Sequence, residues 1–130
     1  MKDIFKPEDI KTFTRLVRKE DLAAFESGTV HPVYGTFALG RDVEWACRLF
    51  VLEMKEEDEE GIGTFLNLEH VSPALLGSEV IITASIEVIK GNSIICNYVV
   101  QCGDRVIAKG SQGQKILKKE KINSLFNSLK

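Results

Sequence analysis

The chain has 130 residues, which suits one domain with one core, and residues 1–130 are read as a single domain. Its hydrophobic fraction of 44% is ordinary for a soluble globular protein. A formal charge of −2 gives no reason to expect nucleic acid or a membrane surface as partner.

The stretch Met1 to Glu8 holds no apolar run long enough for a signal peptide, and no 18-residue apolar segment follows, so no membrane span is expected. A first strand is predicted over Thr12 to Val17, where β-branched and aromatic residues are bounded by charges. Ser27 to Gly35 reads as irregular, with Gly28, Pro32 and Gly35 as breakers. Thr36 then caps or begins the one long helix, running to about Lys55. Its apolar stripe is Phe37, Gly40, Val43, Cys47, Val51 and Met54, at spacings of three and four. The acidic run Glu56-Glu57-Asp58-Glu59-Glu60 and Gly61 close it and read as solvated.

Everything after Gly61 reads as strands. The first is Gly63 to Val71, with Thr64, Leu66, Leu68 and His70 on one face. Ser72 to Gly77 connects it to Glu79–Lys90, whose buried face is Val80, Ile82, Ala84, Ile86 and Val88. Gly91-Asn92 is a hairpin turn into Ser93–Cys102, where Ile94, Cys96, Tyr98 and Val100 alternate. Gly103-Asp104 turns into a last strand, Arg105 to Leu117. A short amphipathic helix ends the chain, with Ile122, Leu125, Phe126 and Leu129 at helical spacing.

The predicted order is therefore strand, long helix, four antiparallel strands, short helix. A nearly all-apolar helix cannot be solvated, so the sheet must wrap it. The expected class is α+β: a curved antiparallel sheet of about five strands around one central helix, the hotdog architecture. Such a sheet has two edges, and an exposed edge invites a second copy. A two-fold homodimer is the default, with pairing of dimers into tetramers left open. A chain this short is too small to enclose a long pocket, so each site is expected to draw on both subunits. The helix bearing Thr36 and Glu44 would face the strand end bearing His70 of the other chain.

Two titratable residues stand out. Glu44 falls inside the apolar stripe, where a carboxylate loses water and should resist ionising. His70 ends an apolar strand face and is partly desolvated. A carboxylate and an imidazole so placed suit acid/base work near neutral pH. The structural readings are a Glu44 ion pair with Arg41 or Arg48, each about one turn away, and a Thr36 that merely caps the helix. Cys47, Cys96 and Cys102 are odd in number and lack metal spacing, so reduced core thiols in a cytoplasmic protein are expected, with no metal and no cofactor.

The segment Asn67-Leu68-Glu69-His70-Val71-Ser72-Pro73-Ala74, followed by Gly77-Ser78-Glu79-Val80, resembles the hotdog-fold acyl-CoA thioesterases. The branch it most resembles is typified by fluoroacetyl-CoA thioesterase. The spacings of eight residues from Thr36 to Glu44 and 26 from Glu44 to His70 agree with that family's threonine, glutamate and histidine. The resemblance implies that Thr36, Glu44 and His70 form a hydrolytic site; beside it, the amide of Gly63 or of a neighbouring residue is a candidate substrate-binding donor for an oxyanion hole, since backbone donors need close approach and glycine permits it. It implies a small or medium acyl-CoA as substrate. Phe37 stands where the family usually has proline, and His31-Pro32-Val33-Tyr34-Gly35 is unlike the family, so fluoroacetyl specificity is not carried over. Arg41, Lys109 and Lys115 are the basic residues considered for a coenzyme A rim. The competing function is a non-catalytic acyl-CoA-binding hotdog module with Glu44 locked by Arg48. A hotdog hydratase is disfavoured, because no aspartate lies five residues from His70.

Overall fold

A computed structural model of the chain describes residues 1–130. Strand β1 (Ile10–Leu16) leads through a 3₁₀ turn (Lys19–Asp21) to β2 (Leu22–Phe25) and β3 (Gly28–Tyr34). Helix α1 (Thr36–Met54) follows, then β4 (Glu59–His70), β5 (Glu79–Lys90), β6 (Ser93–Cys102), β7 (Arg105–Lys118) and α2 (Lys119–Ser128). The main sheet is five-stranded and antiparallel, ordered β1-β5-β6-β7-β4. It is the predicted hotdog arrangement. Strands β5 and β6 fall where alternation and the glycine turn put them, with Gly91 and Gly103 at positive φ.

One side of α1 is buried: Leu39, Val43, Phe50, Val51 and Met54 are at most 1% exposed. Each such side chain contributes roughly 1.5–3 kcal/mol of burial. They pack against Val80, Ile82, Ile86, Ile94, Tyr98 and Ile116 of the sheet. The other side of the helix is open. Phe37, read from the sequence as part of the buried stripe, is 91% exposed, and Trp45 and Leu52 are near 40%. The sheet covers one side of the helix only, and the apolar pattern runs wider than that cover.

Helix α1 and β4 run antiparallel and face each other along their lengths. A Cβ on Gly61 would crowd Val51, one on Gly63 would meet Glu44, and one on Gly40 would meet Leu66. Thr36 reaches His70 at the far end. Gly61 and Gly63 are two apart, as are Leu66, Leu68 and His70, but the two sets differ in parity. A bulge between Gly63 and Phe65 reconciles them. Thr64, expected on the His70 face, lies instead with Phe65 on the opposite side, over Gly113, where a Cβ would overlap the Phe65 ring. A second bulge between Ile86 and Val88 turns Val88 outward, against expectation, and packs Ile89 on the core instead.

Ser27–Gly35 is not irregular. Most of it forms β3, which pairs with β2 as a separate two-stranded sheet. Its residues are largely exposed, so they show no alternation, and Pro32 is tolerated because it contributes only its carbonyl, which accepts the Leu76 amide. The acidic run is only partly solvated. Glu59 is 6% exposed and accepts the Met1 ammonium at 2.7 Å. Glu60 binds Arg48 at 2.6 Å.

A buried polar cluster fixes the first half of α1. Asp42, 1% exposed, accepts two hydrogen bonds from Arg15, others from Arg41, and one from the Tyr34 hydroxyl. Asp21, fully buried, holds Arg18 and Arg41. Burial pushes the Asp21 carboxyl up, but the bonds from Arg18 and Arg41 outweigh it and hold the group well below the usual carboxylate range. Truncating Asp42 to Ala strands Arg15 and the Tyr34 hydroxyl. We expect Asp42→Ala to lose about 3 kcal/mol or more of stability, the scale of a broken buried ion pair, as read by urea denaturation.

Candidate active site

Thr36 is the first residue of α1. The residue that caps the helix is Gly35, and Thr36 makes no capping bond. Its hydroxyl lies 2.9 Å from His70 Nδ1. His70 ends β4, held where Val71 and Ser72 donate their amides to the Ile107 carbonyl. The Ser72 hydroxyl also bonds the Val106 carbonyl, and Arg105 bonds that hydroxyl. His70 Nε2 is buried and has no hydrogen-bond partner. Burial lowers the His70 pKa below its ordinary 6.5, with the Ser72 backbone pulling the other way. The imidazole is therefore neutral at physiological pH. With the proton on Nε2, the Thr36 hydroxyl donates to Nδ1 and Nε2–H is left as an unused donor.

Glu44 lies two turns further along the helix. The sequence places it in the buried stripe, but it is exposed, on the open side between Gly40 and Arg48. It faces Gly63, where a Cβ would stand 2.9 Å from Oε1. Neither arginine pairs with it. Arg41 is committed to Asp21 and Asp42, and Arg48 to Glu60. The ion pair that would make Glu44 purely structural is not formed.

The four residues thus form two pairs: Thr36 with His70, and Glu44 with Gly63. Both sit along the same helix–strand seam. Eight helical residues at about 1.5 Å each hold them roughly 12 Å apart. Thr36 meets His70 of its own chain, rather than that of another chain as expected. A groove of about 520 Å³ spans the seam, lined by Thr36, Phe37, Arg41, Glu44, Leu66 and Leu68. Arg41 borders it, whereas Lys109 and Lys115 do not. Strand β4 is an edge of the sheet, and Phe65 and Leu66 on it are 40% exposed.

Cys47 and Cys96 are buried and all three cysteines are free thiols. The Cys96 thiol beside it, together with burial, pushes the Cys47 pKa far up, so Cys47 is no nucleophile at neutral pH. No helix is long and apolar enough to cross a membrane. No group of His, Cys, Asp and Glu side chains is arranged to hold a metal.

The sequence matches the family described as FlK, fluoroacetyl-CoA-specific thioesterase, over residues 17–120. The chain belongs to this thioesterase family. It is a thioester hydrolase. Among solved structures, a thioesterase superfamily member from Thermus thermophilus superposes with a TM-score of 0.91 at 32% identity, covering 98% of this chain and 94% of its own. A variant of the fluoroacetyl-CoA-specific thioesterase FlK superposes at 0.88 and 20% identity, over 99% and 100% of the two chains. An FlK variant in complex with fluoroacetate and CoA gives 0.82 and 19%, over 91% and 99%. No curated protein matches the sequence.

The thioesterase's partly buried imidazole gives a pH test. His70 has an ordinary pKa of 6.5 when unfolded and a lower one when folded. Between these values the unfolded chain binds the extra proton. Stability from keeping His70 neutral is fully present above 6.5 and is lost as pH falls toward the folded value. Comparison of His70→Asn with wild type by urea titration from pH 7.5 down to about 5 should show a flatter decline for the variant. Parallel curves would contradict the desolvated neutral imidazole.

Proposed function

We propose that this protein hydrolyses a small or medium acyl-CoA thioester to the free acid and coenzyme A, at sites shared across a two-fold homodimer. The observation that carries this reading is the split of the polar groups into two pairs along one seam at an open sheet edge. Antiparallel pairing of β4 with its copy, about an axis near Leu66 and Asn67, would set Gly63 beside His70 of the partner subunit. Glu44 of one chain would then meet the Thr36–His70 pair of the other. The exposed Phe37, Phe65 and Leu66 would be covered in the same step. We read the dimer as cytoplasmic, without nucleic acid or membrane as partner, and residues 1–130 as one domain.

In this site Glu44 supplies the carboxylate that starts the reaction, as nucleophile on the thioester carbonyl or as base for water. The Gly63 backbone can approach the carbonyl closely because it has no side chain. Oxygen adds to the carbonyl carbon and the carbon–sulfur bond breaks. When water attacks, its proton passes to Glu44 and from there reaches the departing thiolate; the neutral His70, its ring fixed by Thr36, can stabilise the charge that develops in this step through its Nε2–H. A variant of FlK, a fold relative, forms a complex with fluoroacetate and CoA, which fits a coenzyme A thioester as the substrate class here. Arg41 at the groove is the basic residue best placed to meet the coenzyme.

A panel of acyl-CoAs assayed for thiol release tests the reading and finds the acyl group. Glu44→Ala should abolish turnover with the fold retained by circular dichroism, because the carboxylate is exposed and unpaired. Near-wild-type turnover would remove Glu44 from the mechanism. For His70→Ala we expect kcat to fall about 10²-fold or more with KM little changed, the usual scale for an acid/base group.

The shared site has its own test. Glu44→Ala and His70→Ala proteins, each inactive, are mixed and allowed to exchange subunits. In a mixed dimer one site lacks both residues and the other is intact, so activity should return toward one working site per mixed dimer. No recovery after verified exchange would show that both residues act within one chain.

A further inference from the structure

The open face of α1 presents Glu44 with two natural partners, and the fold withholds both. Arg48 is the stronger of these. It stands four residues after Glu44, the spacing and direction that favour a carboxylate–guanidinium pair on a helix. Instead its Nη2 lies 2.6 Å from Glu60 Oε1. Glu60 is itself tightly placed. The same oxygen accepts the Gly61 amide at 3.0 Å, and Lys55 Nζ stands 3.4 Å from the other oxygen. Gly61 makes room for the arrangement, since a Cβ there would sit 3.3 Å from Arg48 Nη1 and closer still to Val51. The Arg48 guanidinium beside Glu60 holds its carboxyl down at about 2, so it remains charged throughout the working range.

We infer that Glu60 is a positioning residue: it holds Arg48 away from Glu44 and so keeps the Glu44 carboxylate free to act. The inference rests on the role proposed for Glu44. The other groups facing Glu44 do not compete. Arg41 is held by Asp21 and Asp42, Cys47 is a neutral thiol beside Cys96, and β4 offers Gly63 and Leu66 there. From β7, Gln114 reaches the Gly61 end of the seam, where a Cβ would stand 3.5 Å from its Oε1, and it carries no charge. A guanidinium swung onto Glu44 would lower its pKa and its basicity together. It would also turn the carboxylate from Gly63.

The decisive variant is Glu60→Gln, which keeps shape and removes charge. A neutral amide is a weaker acceptor for arginine than a carboxylate, so Arg48 redistributes to Glu44. With the fastest-cleaved of acetyl-, butyryl- and hexanoyl-CoA, kcat should fall about tenfold, and the acid limb of its pH profile should move down by about one unit. The double variant Glu60→Gln/Arg48→Met should restore both, and Arg48→Met alone should resemble wild type. Carboxyl-carbon NMR titration of Glu44 reads the same effect without turnover: its pKa should fall in Glu60→Gln and return in the double variant. An unchanged Glu44 titration in Glu60→Gln, or a loss of rate that Arg48→Met does not repair, overturns the inference. A fully active Glu44→Gln enzyme would instead overturn the reading of Glu44 on which it rests.

Discussion

The bulge at Thr64 is the constraint on which the seam between α1 and β4 depends. Without it, a strand alternates strictly, and Gly63 and His70 would point to opposite faces of the sheet. With one extra residue, both face α1. The bulge needs somewhere for its displaced side chains to go, and Gly113 provides it by leaving space under Phe65. Glycines at 61 and 63 then let the helix come close enough for Glu44 and Arg48 to lie directly over the strand. The chemistry proposed for this protein thus rests on backbone geometry before it rests on any side chain.

Buried charge anchors the same helix at its other end. Asp21 and Asp42 are almost wholly removed from water, which costs energy unless each is fully paired. Arg15, Arg18, Arg41 and Tyr34 satisfy them from β1, the residue that precedes the 3₁₀ turn, α1 itself and β3. Three separate pieces of chain are thereby fixed to one turn of α1. That turn lies between Thr36 and Glu44, so the network anchors the stretch of helix that carries both halves of the site. It also occupies Arg41, which leaves Glu44 unpaired from that side.

Strand positions were legible in the sequence because alternation and glycine turns are local. The helix bounds were legible for the same reason, to within a residue. The β2–β3 hairpin was not, because exposed strands carry no alternation. The burial of Glu44 was misjudged on similar grounds. A stripe at spacings of three and four shows which side of a helix is most apolar, but it does not show how far round the sheet will reach. Phe37 and Glu44 both fall beyond that reach.

The sequence by itself determined the fold class, through periodicity and the order of elements, and the family with its Thr36, Glu44 and His70, through the likeness of their motifs to those of known thioesterases. Only the tertiary structure decided how those residues pair. Helical proximity favours Arg48 for Glu44 by a few tenths of a kcal/mol, about 0.2–0.5 for such a pair. A carboxylate delivered by the next strand, with its own amide and lysine contacts, outbids that preference. Likewise Thr36 could cap its helix, but the strand end brings His70 within 2.9 Å of its hydroxyl. Local preferences are small and many partners are chemically equivalent. The choice among them falls to whichever the packed fold holds at hydrogen-bonding distance.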